Sequence, residues 1–260
     1  MKFDMKKIVL MAGKGSRFTD IGYPAPKPFI EVNNKYILQH TTESCGSLID
    51  HKSKNNPDLY FSFLQKDENF FNITDRLKRV YGHEIKFNIF KDITRGNLET
   101  AYETIKQSEI KDDDPVLFLD SDNKYNGENL ETFLNVLHQF DTEDFASIVY
   151  FNPIDNSSKW CFAFVDEETK KIKTIKEKEE TAIIEGGEPM VGVFYFSSAK
   201  LFKKLAEGVL NSDKPVHNEF YMSQSIELAI EKNISVYGLL VDDVVPLGTP
   251  KDIVKARQIL

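Results

Sequence analysis

Short apolar runs and segments of helical periodicity alternate along the first 140 residues. The runs at residues 7–12, 59–64, 85–90 and 116–120 are brief blocks of aliphatic and aromatic residues bounded by polar turns, and they read as buried β-strands. Between them, residues 38–48, 70–80 and 98–107 carry helical patterning, and residues 128–140 follow as a fourth helix. Polar stretches at 51–58 and 111–114 separate these units. Such a β-α-β-α rhythm predicts a parallel sheet covered by helices on both faces, because strands buried on both sides read as continuous apolar runs. After residue 140 the rhythm changes. Strand-like runs at 145–151, 160–165, 172–176 and 191–196 are joined by polar turns and predict an antiparallel layer. Helices return at 199–207 and 220–232, the second with apolar positions at Met222, Ile226, Leu228, Ala229 and Ile230. A strand at 234–241 and a helix from Pro250 close the chain. With no repeat, low-complexity segment or clear linker, residues 1–260 read as a single α/β domain: a mixed, mostly parallel sheet with a smaller antiparallel extension.

Composition narrows the class. Hydrophobic residues at 41% and charged residues at 28% are ordinary for a globular chain, and 20 Phe and 10 Tyr supply bulky core material. The net charge of −8, with no long basic run, argues against nucleic acid as a partner, since a phosphate backbone needs a basic field. Cys45 and Cys161 lack metal-ligand spacing and read as thiols of a reducing compartment. Basic residues precede the apolar stretch 8–12, but that stretch is too short for a signal peptide and runs straight into Gly-Lys-Gly-Ser-Arg. No segment approaches the ~20 apolar residues of a membrane span. A cytoplasmic protein without membrane insertion is expected. Apolar positions in the second half are compatible with either a core or a homo-oligomeric interface.

The first candidate for chemistry is the turn after the first strand, Ala12-Gly13-Lys14-Gly15-Ser16-Arg17-Phe18, followed ten residues after Arg17 by Pro26-Lys27-Pro28. A buried strand that ends in such a turn exposes backbone N–H groups and cations at one point, which suits a polyphosphate. The spacing is not that of a P-loop, and Phe18 stands where a dinucleotide fingerprint needs its third glycine. Taken alone, the two glycines equally fit a plain strand-to-helix turn. The prolines on either side of Lys27 have fixed φ and restrict where that lysine points. The second candidate is Leu119-Asp120-Ser121-Asp122-Asn123, an apolar strand ending in two carboxylates at the edge where open α/β sheets bind ligands. Oxygen ligands there suit Mg²⁺ or Mn²⁺ bridging to phosphates, although either Asp also fits a cap on the next turn.

With these residues in view the chain resembles the nucleotidyltransferase family, which includes sugar-1-phosphate nucleotidyltransferases and phosphocholine cytidylyltransferases. The likeness extends over nearly the full length. Val191-Gly192-Val193-Phe194-Tyr195-Phe196, Asn218-Glu219-Phe220-Tyr221 and Leu247-Gly248-Thr249-Pro250 are similar to later motifs of bacterial capsule-associated members. The resemblance implies a Rossmann-like, GT-A-like fold in which residues 1–140 bind the NTP and 141–260 bind the acceptor. It implies that Ala12, Gly13, Lys14, Gly15 and Ser16 wrap the nucleotide, with Gly96 and Asn97 beside the base. Arg17 would hold the β- and γ-phosphates, Lys27 the α-phosphate and the incoming phosphate, and Asp122 the metal. Lys178, preceded by Glu177, would meet the acceptor's phosphate, and Gly192 and Glu219 would line the acceptor site. One departure stands out. Many members carry a second metal-binding Asp two residues before the Gly-Thr near the C-terminus, and this chain has Pro246 there. Asp242 and Asp243 a few residues upstream, Asp120 and Glu219 are the candidate replacements.

Chemistry of this kind needs no side-chain nucleophile or general base, because the attacking phosphate oxygen is already anionic. Positioning and charge stabilisation suffice. His40, His51, His83, His138 and His217 therefore read as bystanders, and Trp160 as core or as a wall of the acceptor pocket. The expected activity is transfer of a nucleoside monophosphate from an NTP, with CTP favoured, to a phosphorylated acceptor with release of pyrophosphate. The acceptor is a sugar 1-phosphate or a phosphorylated amino compound, and Glu177, Glu179, Glu180 and Glu185 would tolerate a cationic one. The product would be an activated precursor for surface polysaccharide. Two rivals remain: a GT-A-type glycosyltransferase that uses a nucleotide sugar, and a nucleotide-sensing subunit without catalysis.

Overall fold

A computed structural model describes residues 4–140, 143–155, 157 and 159–260, so residues 1–3 of the basic N-terminal segment lie outside the described residues. In chain order the elements are β1 (Lys6–Leu10), α1 (Ser16–Thr19), β2 (Glu31–Val32), β3 (Lys35–Tyr36), α2 (Ile37–Glu43), β4 (Leu59–Leu64), α3 (Gln65–Phe71) and α4 (Ile73–Tyr81). There follow β5 (Lys86–Phe90), α5 (Asn97–Gln107), β6 (Val116–Leu119), β7 (Asn123–Asn126), α6 (Leu130–Phe140), β8 (Phe145–Phe151), β9 (Cys161–Val165) and β10 (Ile172–Glu177). The chain ends with β11 (Glu188–Phe196), α7 (Ala199–Ser212), α8 (Met222–Glu231), β12 (Ser235–Pro246) and α9 (Pro250–Ile259).

One sheet carries both halves, in the order β5-β4-β1-β6-β11-β8-β12-β7, with β9 attached to β11 and β10 to β9. The pairs β4–β5, β1–β4, β1–β6 and β8–β12 are parallel. The strand β11 runs antiparallel to β6, β8 and β9, and the β9–β10 hairpin is the small antiparallel extension. The mixed, mostly parallel sheet flanked by helices is thus the architecture that the rhythm of the sequence predicts.

Period-two alternation explains why the central strands are apolar throughout. Ile8 and Phe118 join Phe196, Leu98, Phe202 and Ile226 on the face covered by α5, α7 and α8. Their immediate neighbours Val9, Leu117 and Leu119 join Phe61, Leu77 and Leu134 on the face covered by α4 and α6. Both faces of β1 and β6 are buried, so each strand contributes to two cores at once. Burial of this kind stabilises by about 1.5–3 kcal/mol per large apolar side chain. The ends of these two strands are accordingly held rigidly.

The differences from the sequence reading have local causes. The helix expected at 70–80 is two helices, parted at Asn72, which adopts a left-handed φ of 49° and donates its amide to Asp75. The strand expected at 234–241 continues to Pro246 through an irregularity between Asp242 and Val245 and pairs with β7. The helix expected from residue 220 begins at Met222, leaving Phe220 and Tyr221 in the segment before it. Among the described residues no helix is long and apolar enough to cross a membrane.

Candidate active site

From β1 the chain moves outward to β4 and β5, then returns across β1 to β6. At such a reversal the connections leave in opposite directions, and a crevice opens beyond the strands' carboxyl ends. A cleft of about 1020 Å³ lies there, lined by residues 10–19 after β1, by 120–123 after β6, and by residues of the second half.

The turn after β1 is anchored from below. Phe18, at the position denied to a third glycine, is buried and meets Tyr23 edge-on with ring centres 5.2 Å apart. Gly15 precedes α1 with a left-handed φ of 64°. Among the described residues the backbone N–H groups of Gly13, Lys14 and Gly15 have no backbone partner. These three residues line the cleft with Ala12, Ser16 and Arg17. Residues Lys27–Phe29 form a single 3₁₀ turn whose Pro28 and Phe29 are buried, which drives Lys27 outward to the opposite wall.

Lys27 meets Asp122 there. Its ammonium donates to Asp122 Oδ2 at 2.7 Å, and each side chain is 25% exposed. Asn123 donates to Asp122 Oδ1 at 3.2 Å and to Asp120 Oδ2 at 2.6 Å, tying the two carboxylates together. Burial pushes Asp122 up, but the Lys27 ammonium overcomes this and holds its carboxyl below the usual carboxylate range, with a smaller pull from Arg17. Asp120 shifts the other way. Burial, and then the charge of Asp122, raise it above that range. The glycine at position 192 makes room for it: a Cβ there would lie 2.4 Å from Asp120 Oδ2, which accepts from the Gly192 N–H at 3.1 Å. Gly192 thus shapes the carboxylate pair while lining the cleft.

Asp120 Oδ1 is buried with no hydrogen-bond partner among the described residues. An orphaned carboxylate oxygen beside a second carboxylate, on a cleft also lined by a loop of unpaired N–H groups, fits a hard divalent cation such as Mg²⁺ or Mn²⁺. Such ions take one or two carboxylates and complete their shell with phosphate and water. Among the described residues there is no cluster of three His, Cys, Asp or Glu able to hold a metal by itself. Pro246 pairs with Asn123 through its backbone, where its side chain offers no ligand. Asp243 is not brought to the site. It sits in the β12 irregularity with a left-handed φ of 55°, exposed to solvent, and is not among the residues that line the cleft. The one extra residue of this irregularity shifts the register of β12 against β7 at the position of Asp243.

Gly96 and Asn97 lie on the cleft wall before α5. Gly96 has a φ of 151°, and a Cβ there would strike the Phe220 carbonyl oxygen at 2.3 Å. The segments on either side of this contact are bonded: Phe220 N–H donates to Arg95 O at 2.9 Å, and Leu98 N–H donates to Phe220 O at 3.1 Å. Asn97 Oδ1 accepts from Met222 N–H at 2.9 Å, so that side chain fastens the start of α8.

The other end of the cleft is assembled from separate segments. Glu177, at the end of β10, accepts from Ser223 Oγ at 2.6 Å and is 13% exposed. Cys161 lies beside it, with its thiol pushed up by burial and by the Glu177 charge. Lys178 has a φ of 56° and donates its N–H to Trp160 O at 3.0 Å. Its ammonium lies 2.6 Å from the hydroxyl of Tyr221, and it is Tyr221, with Glu219 and Trp160, that lines the cleft. His217 and Asn218, with φ of 48° and 65°, form the two-residue turn of a small hairpin between Val216 and Glu219, and they line it too. Sequence reasoning set His217 aside and did not single out Tyr221, Ser223 or Lys66. The signals present were a His-Asn pair suited to a positive-φ turn, and a helix opening directly on the end of β4.

Several known proteins are similar to this chain. The low-salt glycan biosynthesis nucleotidyltransferase Agl11 of Haloferax volcanii is 22% identical over 98% of the chain and 66% of its own length. The bifunctional protein GlmU of Methanocaldococcus jannaschii is 25% identical over 98% of the chain and 54% of its own length. The mannose-1-phosphate guanyltransferase of Yarrowia lipolytica is 25% identical over 70% of the chain and 43% of its own length. The chain therefore spans between under half and about two thirds of these relatives. Among solved structures, a nucleoside-diphosphate-sugar pyrophosphorylase from Vibrio cholerae superposes with a TM-score of 0.75 at 15% identity, covering 96% of this chain and 99% of that one. The inositol-1-phosphate CTP transferase of T. maritima does so at 0.70 and 14%, covering 99% and 97%. At such identity these two establish the fold. The family model described as nucleotidyl transferase matches residues 6–260, and with the glycine loop, the carboxylate pair and the cleft in place, this chain belongs to that family of enzymes.

Proposed function

We propose that the protein transfers a nucleoside monophosphate from an NTP to a phosphorylated small molecule and releases pyrophosphate. The observation that carries this reading is that one cleft holds two different anion-handling ends. Unpaired N–H groups with Lys14, Arg17 and Lys27 stand at one end, and Glu177 and Tyr221 line the other, with the Lys178 ammonium bonded to the Tyr221 hydroxyl. A nucleotide-sugar glycosyltransferase would use the carboxylate pair but has no need of the first end.

In this reading a phosphate oxygen of the acceptor attacks the α-phosphorus of the NTP. The new phosphorus–oxygen bond forms as the bond to the bridging α–β oxygen breaks, and the electron pair leaves with pyrophosphate. No proton moves in that step, so no general base is required. The loop Ala12–Ser16 binds the triphosphate through its backbone, Arg17 neutralises the leaving pyrophosphate, and Lys27 steadies the α-phosphate. Gly96 and Asn97 border the base. Asp122 and the orphaned oxygen of Asp120 would hold Mg²⁺ or Mn²⁺, which supplies charge neutralisation at the phosphates when bound. Glu177, Glu219 and Gly192 border the acceptor, and Lys178 holds its phosphate.

CTP is the proposed donor, a reading that rests on the likeness of the later motifs to capsule-associated members. A sugar 1-phosphate or a phosphorylated amino compound is the proposed acceptor, and the product is an activated precursor for surface glycan. The test is a matrix of the four NTPs against phosphorylated acceptors, read by pyrophosphate release with and without Mg²⁺. The expected result is Mg²⁺-dependent release with CTP and one acceptor class. Consumption of a nucleotide sugar with no pyrophosphate release in any well would overturn it in favour of glycosyl transfer.

A further inference from the structure

Lys178 carries a long, freely rotating side chain, and a lysine that must be ordered by its ligand binds that ligand less tightly than one held in place beforehand. Three contacts order it in the free protein. Its ammonium donates to the Tyr221 hydroxyl at 2.6 Å, lies 4.0 Å from the centre of the same ring, and stands 3.9 Å from Glu177 Oε1. The Tyr221 phenol is raised by burial and by the Glu219 carboxylate near it. An ammonium only donates, so the phenol oxygen has one role in this contact: it accepts from Lys178.

Tyr221 is itself fixed from both sides. Its N–H donates to Gln224 Oε1 at 3.0 Å in the first turn of α8. Phe220 before it is bonded to Arg95 and Leu98, and Met222 after it to Asn97. The phenol is thus a rigid post standing on the cleft wall beside a flexible cation.

We propose that Tyr221 is a positioning residue: its hydroxyl and ring face hold the Lys178 ammonium at the acceptor end of the cleft, ready for a phosphate monoester. This rests on the assignment of Lys178 to the acceptor's phosphate made above. The test uses the full chain and inorganic phosphate as the probe, titrated calorimetrically into wild type, Lys178→Ala, Tyr221→Phe and the double variant. Pyrophosphate, titrated into the same proteins, probes the Arg17 and Lys27 end. Phenylalanine keeps the ring and the backbone contacts of position 221, so the fold is preserved. Phosphate affinity is expected to fall about tenfold in Lys178→Ala and about three- to fivefold in Tyr221→Phe, with the double variant no weaker than Lys178→Ala. Pyrophosphate affinity is expected to be unchanged throughout.

Unaltered phosphate affinity in Tyr221→Phe, or losses that add in the double variant, would overturn the positioning role and leave Lys178's own assignment standing. A loss of pyrophosphate affinity as large as that of phosphate would mark a general distortion and overturn it equally. Lys178→Ala with wild-type phosphate affinity would remove the assignment of Lys178 and this inference with it.

Discussion

The two ends of the cleft are built by opposite means. At the proposed donor end a turn of consecutive residues, pinned from beneath by Phe18, displays unpaired main-chain N–H groups, with Lys27 and the Asp120–Asp122 pair on the facing wall. At the proposed acceptor end the groups are side chains, from the two ends of the β9–β10 hairpin around Trp160 and Glu177 and from the segment between His217 and Ser223, tied to one another by hydrogen bonds. A triphosphate presents the same oxygens in every nucleotide, so a backbone cradle can serve a whole family. An acceptor differs from one enzyme to the next, and side chains can be exchanged without disturbing the sheet. In this reading the main-chain cradle suits any triphosphate, and the side-chain wall selects the acceptor.

That contrast can be broken by experiment, beginning where the effect is largest. Asp122→Ala removes a carboxylate on which Lys27 and Asn123 converge, and turnover measured by pyrophosphate release should fall by at least about a thousandfold. Near-normal turnover would show that Asp122 is no part of the donor end. Gly192→Ala comes next. Its Cβ would intrude on Asp120 at 2.4 Å, and the displaced carboxylate should lower kcat by about a hundredfold while the chain still unfolds cooperatively. A variant with normal kcat and only a lowered Tm would assign Gly192 to packing alone. Lys178→Ala should raise the acceptor KM by about tenfold and leave the NTP KM in place. If the NTP KM moved instead, the two ends would not be separate in the way their construction suggests.

How much of this was legible beforehand follows the same division. The glycine loop, Lys27 and the Asp120–Asp122 pair are contiguous motifs at strand ends, and the alternation of apolar runs is enough to place those ends together at a sheet edge. The acceptor wall is hidden for particular reasons. Tyr221 falls within a stretch of helical periodicity, although the helix begins one residue later because Phe220 is drawn into pairing with Arg95 and Leu98. β7, of sequence Asn-Lys-Tyr-Asn, has no apolar run to announce it and exists because β12 reaches past its usual end to pair with it. The irregularity in that same extension falls at Asp243, which is close in sequence to the expected metal position but exposed and outside the cleft. Local pattern reveals strands and turns; it does not reveal a bulge that shifts the register of a strand.

The contact between Lys27 and Asp122 has a meaning for the resting enzyme. With the ammonium 2.7 Å from the carboxylate, the chain supplies its own cation at the place where a divalent ion would be expected to arrive with the nucleotide. Lys27 is in effect a stand-in, and loading the site becomes an exchange of one positive partner for another instead of the filling of a bare negative hole. The fold should then be indifferent to chelators: EDTA is expected to abolish turnover and leave Tm where it was. In Lys27→Met the stand-in is gone, the carboxylates repel one another unrelieved, and Tm should become dependent on Mg²⁺, rising with its concentration as for any ligand that binds only the folded state. A protein equipped in this way can wait in a cell poor in its substrates without being weakened by the charges it keeps for catalysis.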